Sequence, residues 1–230
     1  MNKISSVAYY GGKATLCGRI CDIIDNTPHT TYVEPFGGSG IILLNKRRSM
    51  FEIYNDLDDL LTNMFQQIRD NYPNFKRRIS RCLYSRKEYL DAFEHLKTST
   101  DPLIKAVSYW YCLDTGFAGL FPFKSSTFRF FTLKTPSFFS KLRKIIKIRN
   151  RLRNVQILNK DAIQLIKDTD TPNTLFYIDP PYTHESRTGK SGYKCEVQAD
   201  YHLQLHDTLS SIKGKFILSN YYDEKIIDMY

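Results

Sequence analysis

No apolar run in this 230-residue chain is long enough to span a membrane, and its opening residues do not form a secretory leader. Cysteine is scarce: five residues, Cys17, Cys21, Cys82, Cys112 and Cys195, odd in number and widely spread, so a disulfide framework is not expected. Cys17 and Cys21 are four apart and could share a helical face, but no second Cys or His pair completes a zinc set; buried thiols are expected there. A reduced cytoplasmic protein follows. Neither a G-x-G-x-x-G turn nor a Gly-Lys-Ser/Thr ending is present, which disfavours a nicotinamide dinucleotide or a nucleoside triphosphate. Acids are missing from one long stretch. Between Thr115 and Lys160 there are 11 Lys and Arg and no Asp or Glu, leaving 22 basic against 24 acidic residues elsewhere, so the net charge of +9 is one patch suited to a polyanionic partner.

What is present centres on Leu175 to Tyr182. Four apolar residues, Leu175-Phe176-Tyr177-Ile178, stop at Asp179-Pro180-Pro181-Tyr182. An apolar run bounded by prolines reads as a buried parallel strand, which delivers Asp179 and Tyr182 to a carboxyl-terminal sheet edge, where open α/β sheets bind ligands. An acid acceptor, a stiff backbone with a free carbonyl and an aromatic plate suit a flat heterocycle bearing an exocyclic amine.

Upstream, Tyr10-Gly11-Gly12-Lys13 is a turn whose lysine is either solvated or aimed at an anion. A helix is expected over Thr15 to Ile24. Thr31 to Glu34 runs as a strand into Pro35-Phe36-Gly37-Gly38-Ser39-Gly40 and a helix starting at Ile41, the first crossover of a doubly wound sheet, with glycines that let a ligand approach the backbone. Met50 to Tyr54 is a second strand with Asn55-Asp56 at its tip; Asp56 either binds ribose hydroxyls or caps the helix Leu57 to Asn71. The βα rhythm then breaks from Tyr72 to about Asn154, with helices expected from Ser85 and over Pro102 to Leu113, and a Phe-rich region whose rings either pack a small core or stack on bases. Lys141 to Arg153 has helical periodicity, with Leu142, Ile145, Ile146 and Leu152 on one side and Lys141, Arg143, Lys144, Lys147 and Arg151 largely elsewhere. Such a face is either solvated or lies on nucleic acid. Val155 to Leu158 resumes the sheet with Asp161 at its tip, Asp200 to Lys213 reads as a helix, and Lys215 to Leu218 as a strand ending in Ser219-Asn220.

In this order, Tyr10-Gly11-Gly12-Lys13, Glu34 to Gly40, Asn55-Asp56, Asp179-Pro180-Pro181-Tyr182 and Phe216 to Asn220 make the chain resemble the Dam-type, alpha-class adenine-specific DNA methyltransferases. The resemblance implies an α/β fold, a doubly wound, mostly parallel Rossmann-like sheet with a largely helical target-recognition insertion. The expected division is residues 1–63 and 155–230 for the methyltransferase domain and 64–154 for the insertion. It implies S-adenosylmethionine as cofactor, held by Tyr10, Gly11, Lys13, Glu34, Pro35, Phe36, Gly37, Gly38, Gly40, Asp56, Asp161 and Asp179. Lys13 would close over the methionine end, Asp56 take the ribose hydroxyls and Asp161 lie near the adenine.

Catalysis would fall to Asp179, Pro180, Pro181 and Tyr182, with Asp179 and the Pro180 carbonyl accepting from the amine of a flipped adenine and Tyr182 stacking on it. A ring-carbon cytosine methylase needs a nucleophilic cysteine, typically after a proline, and none of the cysteines follows one. Double-stranded DNA would lie against Lys124, Arg129, Lys134, Lys144 and Lys147, and a cognate restriction endonuclease, in a bacterial, phage or mobile-element setting, is a possible partner. The chain runs only ten residues past Asn220, where family members usually continue through a strand pair, so the alternative is a weak or inactive homologue that binds DNA. An amino methyltransferase acting on RNA or protein is a further alternative.

Overall fold

In the computed structural model the described residues are 4, 9, 13–116, 128–129, 145–181 and 199–219, with 199 and 200 described by backbone alone. Five strands, β1 (Thr31–Glu34), β2 (Phe51–Asn55), β3 (Val155–Leu158), β4 (Thr174–Ile178) and β5 (Lys215–Leu218), form one parallel sheet in the order β3-β2-β1-β4-β5. The order reverses beside β1, so β1 and β4 flank a topological switch point with their carboxyl ends side by side.

Strand alternation builds the two faces. Tyr32, Tyr54, Leu175 and Tyr177 point into one apolar cluster, and Val33, Ile53, Phe176 and Ile178 into the other. The second face is covered by α8 (Ala162–Thr169) and α9 (Ala199–Ser211), through Leu165, Ile166, Leu205 and Leu209. The first is covered by α1 (Cys17–Asn26), α2 (Ile41–Asn45), α3 (Asp59–Asp70) and α7 (Ile145–Leu152). β4 is buried along its whole length, as its apolar run requires. The two buried thiols of α1 lie 3.9 Å apart and point at the Ile41 and Ile42 carbonyls, so they pack α1 on α2. Among the described residues no group of three or more His, Cys, Asp or Glu could hold a metal, and no helix is long and apolar enough to cross a membrane.

Between α3 and β3 lie α4 (Tyr72–Ile79), α5 (Arg86–Thr98), α6 (Pro102–Thr115) and α7. Ser85 caps α5 by accepting from Glu88 N–H, and Asp101 caps α6 through Leu103 and Ile104 N–H. From Ala106 onward α6 is buried all round, because α3, α4 and α5 pack on it. These helices join the core of the sheet's first face, and the expected 63/64 boundary falls inside α3. Neither α4 nor α8 was expected from periodicity.

Two expectations are corrected. Helix α3 is capped by Asp58, whose carboxylate accepts from Leu60 N–H, and not by Asp56. Arg151 does not belong to an exposed basic face: at about 100° per residue it lies about 60° round the helix from Ile148, on the side away from Leu152, is 7% exposed, and grips the Glu52 carboxylate with both terminal guanidinium nitrogens, the Nη2 contact at 2.7 Å. Lys46 completes this buried group 2.7 Å from Glu52. Of the Phe-rich region only Phe128 is described; it is buried against the Tyr84 and Tyr89 rings.

Candidate active site

The turn after β1 is held from β2. Gly37 N–H donates to the Asn55 carbonyl (2.8 Å), Gly38 N–H to Asp56 Oδ2 (2.8 Å), and Tyr54 OH to the Gly38 carbonyl (2.6 Å). Gly38 and Gly40 have φ of +49° and +66°, left-handed conformations that L side chains rarely adopt. Gly37 is required for space instead: a Cβ there would lie 2.2 Å from the buried Tyr54 ring. The turn's outer surface stays half-exposed at Gly37 and Gly38, and the Tyr9 ring lies over it, 3.5 Å from where a Gly38 Cβ would stand. The N-terminal segment is fastened at Ile4, whose N–H and carbonyl both bond the Asn45 amide, at 2.7 and 2.9 Å.

Asn55 and Asp56 tie the strand tips together. Asn55 Nδ2 donates to the Pro35 and Lys160 carbonyls (2.9 and 3.0 Å), and its Oδ1 accepts Lys160 N–H (2.9 Å), so one side chain links the ends of β1, β2 and β3. Asp56 accepts from Gly38 N–H and, through Oδ1, from Asp58 N–H (2.8 Å). Burial dominates and lifts its pKa from 3.8 to about 6, against the pull of these backbone donors. Beneath it, Tyr109 of α6 donates to the Asp58 carboxylate, coupling the inserted helices to this edge.

Glu34 sits differently from a ligand-facing residue. It shares the inner face with Tyr32, two residues earlier, is 1% exposed, and accepts the Tyr32 hydroxyl at 2.6 Å. Burial raises its pKa to about 7, with the Tyr32 hydrogen bond and the Lys46 and Arg151 charges opposing. Pro35 is buried, and Phe36 is half-buried edge-on to Tyr201 of α9, ring centroids 6.4 Å apart. Asp161 is exposed at the β3 tip and caps α8 through Gln164 N–H (2.9 Å).

At the tip of β4, three segments remote in sequence hold the Asp-Pro-Pro turn. Lys13 Nζ lies 2.7 Å from Asp179 Oδ1, with the two side chains 12% and 17% exposed. Ser219 N–H, just past β5, donates to the Ile178 carbonyl (2.8 Å). His202 of α9, 6% exposed, places Nε2 3.2 Å from the Pro181 carbonyl. A carbonyl only accepts, so Nε2 carries the proton, and burial lowers the His202 pKa, leaving a neutral donor. Sequence reasoning missed His202; its only local signal is a histidine one residue after Tyr201 on a helix otherwise patterned for packing.

Of the expected nucleic-acid contacts, Lys147 is exposed on α7, whereas Arg129 is half-buried and spends Nη2 on the Gly116 carbonyl (2.6 Å). Tyr10, Gly11, Lys124, Lys134, Lys144 and Tyr182 lie outside the described residues.

A parallel doubly wound sheet with a glycine turn, a carboxylate at the next strand tip and an acid-Pro-Pro turn across the switch point has the layout of a Rossmann-like methyltransferase. The chain matches the model of the D12 class N6 adenine-specific DNA methyltransferase family over residues 9–230 and belongs to that family. It is therefore an adenine-specific DNA methyltransferase dependent on S-adenosylmethionine, with DNA as its substrate. No curated protein matches the chain significantly. The residues fit the cofactor: a half-exposed glycine backbone gives close approach, and Asp56 provides an anionic acceptor for hydroxyl donors.

Proposed function

We propose that the chain methylates the exocyclic amine of an adenine flipped out of duplex DNA into the space between the β1 and β4 tips. The observation that carries this reading is Asp179, held at a ligand-binding sheet edge by Lys13 beside the glycine turn. Bound S-adenosylmethionine supplies an activated methyl group. The protein's own task is to prepare the nucleophile, because the lone pair of an aromatic amine is delocalised into its ring. Asp179 and the Pro180 carbonyl accept the two amine hydrogens, which favours a tetrahedral nitrogen and frees the pair for in-line attack. Lys13 balances the charge of Asp179 from 2.7 Å; after transfer the now cationic, tetrahedral nitrogen gives its extra proton to solvent, and no covalent enzyme intermediate is needed.

Gly37, Gly38 and Asp56 hold the cofactor's ribose side, and Asp161 stands at the β3 tip on the adenine side. Tyr182 stacks on the flipped base, offsetting an extrusion cost of a few kcal/mol with about 1–3 kcal/mol. The basic insertion, with Lys147 exposed on α7, tracks the DNA backbone.

The test is transfer of labelled methyl to unmethylated DNA, with digestion to identify the modified base. Asp179→Asn should lower the rate about 10²–10³-fold, as loss of one preorganised charged contact does elsewhere, with circular dichroism unchanged. Wild-type-like transfer in that variant would refute the role of Asp179.

A further inference from the structure

A cleft of about 490 Å³ opens among α4, α5 and α6, on helices that contribute no residue to the site above other than Tyr109 beneath it. That volume is in the range of about 300–1,000 Å³ typical of small-molecule sites. Helices α4 and α5 each pack on α6; the lining carries Arg77, Arg78 and Arg81 from α4 and the turn after it, and Glu88, Asp91 and His95 from α5. Ala92 of α5 and Ile104 and Val107 of α6 add apolar surface.

Guanidinium and carboxylate groups brought to one site can close into paired, charge-assisted hydrogen bonds. Here they do not. Arg77 donates to Asn74 within its own helix (3.1 Å), Asp91 turns to Lys87 (2.9 Å), and among the described residues no ion pair crosses the cleft. The segment that carries the arginines is itself one-signed: residues 71–87 contain six Lys and Arg and no acid. The cleft thus keeps opposite charges apart beside apolar surface. A ligand that joins them carries an anion at one end, hydrogen-bond donors at the other and a flat apolar body between.

We infer that this cleft is a second binding site, for a nucleotide. Arginines take the phosphate by charge-assisted, fork-like hydrogen bonds. A carboxylate takes the donor edge of a base, and guanine offers it two parallel donors, N1–H and the 2-amino group. The aliphatic surface lies against the ring. The nucleotide comes either from solution or from the substrate strand beyond the methylated adenine.

Calorimetric titration of the full chain with guanosine 5′-diphosphate tests this, with the cofactor pocket first filled by S-adenosylhomocysteine so that binding there adds no heat. Saturable binding is expected, weakened about tenfold or more in Arg78→Ala/Arg81→Ala, because each lost charge-assisted hydrogen bond is worth at least a factor of ten. Glu88→Gln should weaken guanosine diphosphate but leave inorganic pyrophosphate unchanged, a separation that loss of folding would not produce. If the nucleotide belongs to the DNA, the arginine double variant instead raises KM on duplexes with long flanks and not on short ones, at unchanged kcat. Wild-type protein that takes up no guanosine diphosphate and whose double variant shows no flank-dependent KM overturns the inference, as does binding indifferent to the arginine substitutions. Methyl transfer to a short duplex is expected to survive these substitutions, so failure here leaves the catalytic reading standing.

Discussion

Asp56→Ala removes the carboxylate that joins the glycine turn to the start of α3. In the wild type each of its oxygens already accepts one backbone N–H at 2.8 Å, and ribose hydroxyls would fill remaining lone pairs. A hydrogen bond to a charged group is worth about 1.5–3 kcal/mol, so losing two should weaken S-adenosylhomocysteine binding about 10²–10⁴-fold. Stability changes less, since stranding an N–H group costs about 1–3 kcal/mol only where it is cut off from water, Gly38 is half-exposed, and removing a buried charge gives part of the cost back. The titration adds a second signature. The folded pKa of about 6 lies above the unfolded 3.8, so between these values the folded state binds more protons and stability declines as pH rises, levelling off above about 6. The anion is the better acceptor for hydroxyls, so affinity should be flat above about pH 7 and fall by up to tenfold for each pH unit below 6. Calorimetry on wild type and variant across this range measures both effects. Undiminished affinity in a folded Asp56→Ala, or wild-type affinity that does not fall in acid, would refute the assignment.

Gly37→Ala should cost at least about 1–3 kcal/mol, because the added methyl meets a Tyr54 ring that is buried and anchored through its hydroxyl; an unchanged melting temperature would show that the turn can give. His202→Ala should lower kcat up to about tenfold, the worth of a neutral hydrogen bond, at little change in KM for the cofactor, with partial recovery in His202→Gln, whose amide can still donate. Equal losses in both variants would mean that packing, not the bond to Pro181, is what matters. Arg151→Met should destabilise the fold by up to about 3–5 kcal/mol, the cost of an uncompensated buried charge, lessened by the Lys46 and Ser49 N–H contacts that Glu52 keeps, and leave the salt dependence of DNA binding untouched. A stable variant with a flatter salt slope would return Arg151 to the DNA surface.

The sheet was legible because its strands are short apolar runs that end in punctuation: glycines after β1, Asn-Asp after β2, Pro-Pro after β4. Less was legible where a side chain's fate depends on register or on distant partners. In α4 only Phe75 and Ile79 are buried, one turn apart among basic residues, too sparse a stripe for periodicity to detect. Asp56 and Asp58 both precede the same helix, and local chemistry lets either cap it; the choice follows from the helix beginning at Asp59. Glu34 carried a signal that pointed the right way. Two residues along a strand restore the same face, so a carboxylate following the core residue Tyr32 at that spacing faces inward whatever glycine turn comes next.

What no local pattern contains is the way the Asp179 turn is secured. Lys13, His202 and Ser219 come from three different segments, and each takes a different group: the Asp179 carboxylate, the Pro181 carbonyl and the Ile178 carbonyl. A turn stiffened by two prolines still pivots as a unit on its strand, and three anchors on three groups remove that freedom. Amine activation needs acceptors held to a fraction of an ångström, since misplacement by about 1 Å can cost 10²-fold. If Asp179 works as proposed, the anchors matter to rate even where they never touch DNA or cofactor. Ser219 acts through its main-chain N–H, which a side-chain change leaves in place, so the informative substitution is His202, whose loss should appear in kcat before it appears in binding.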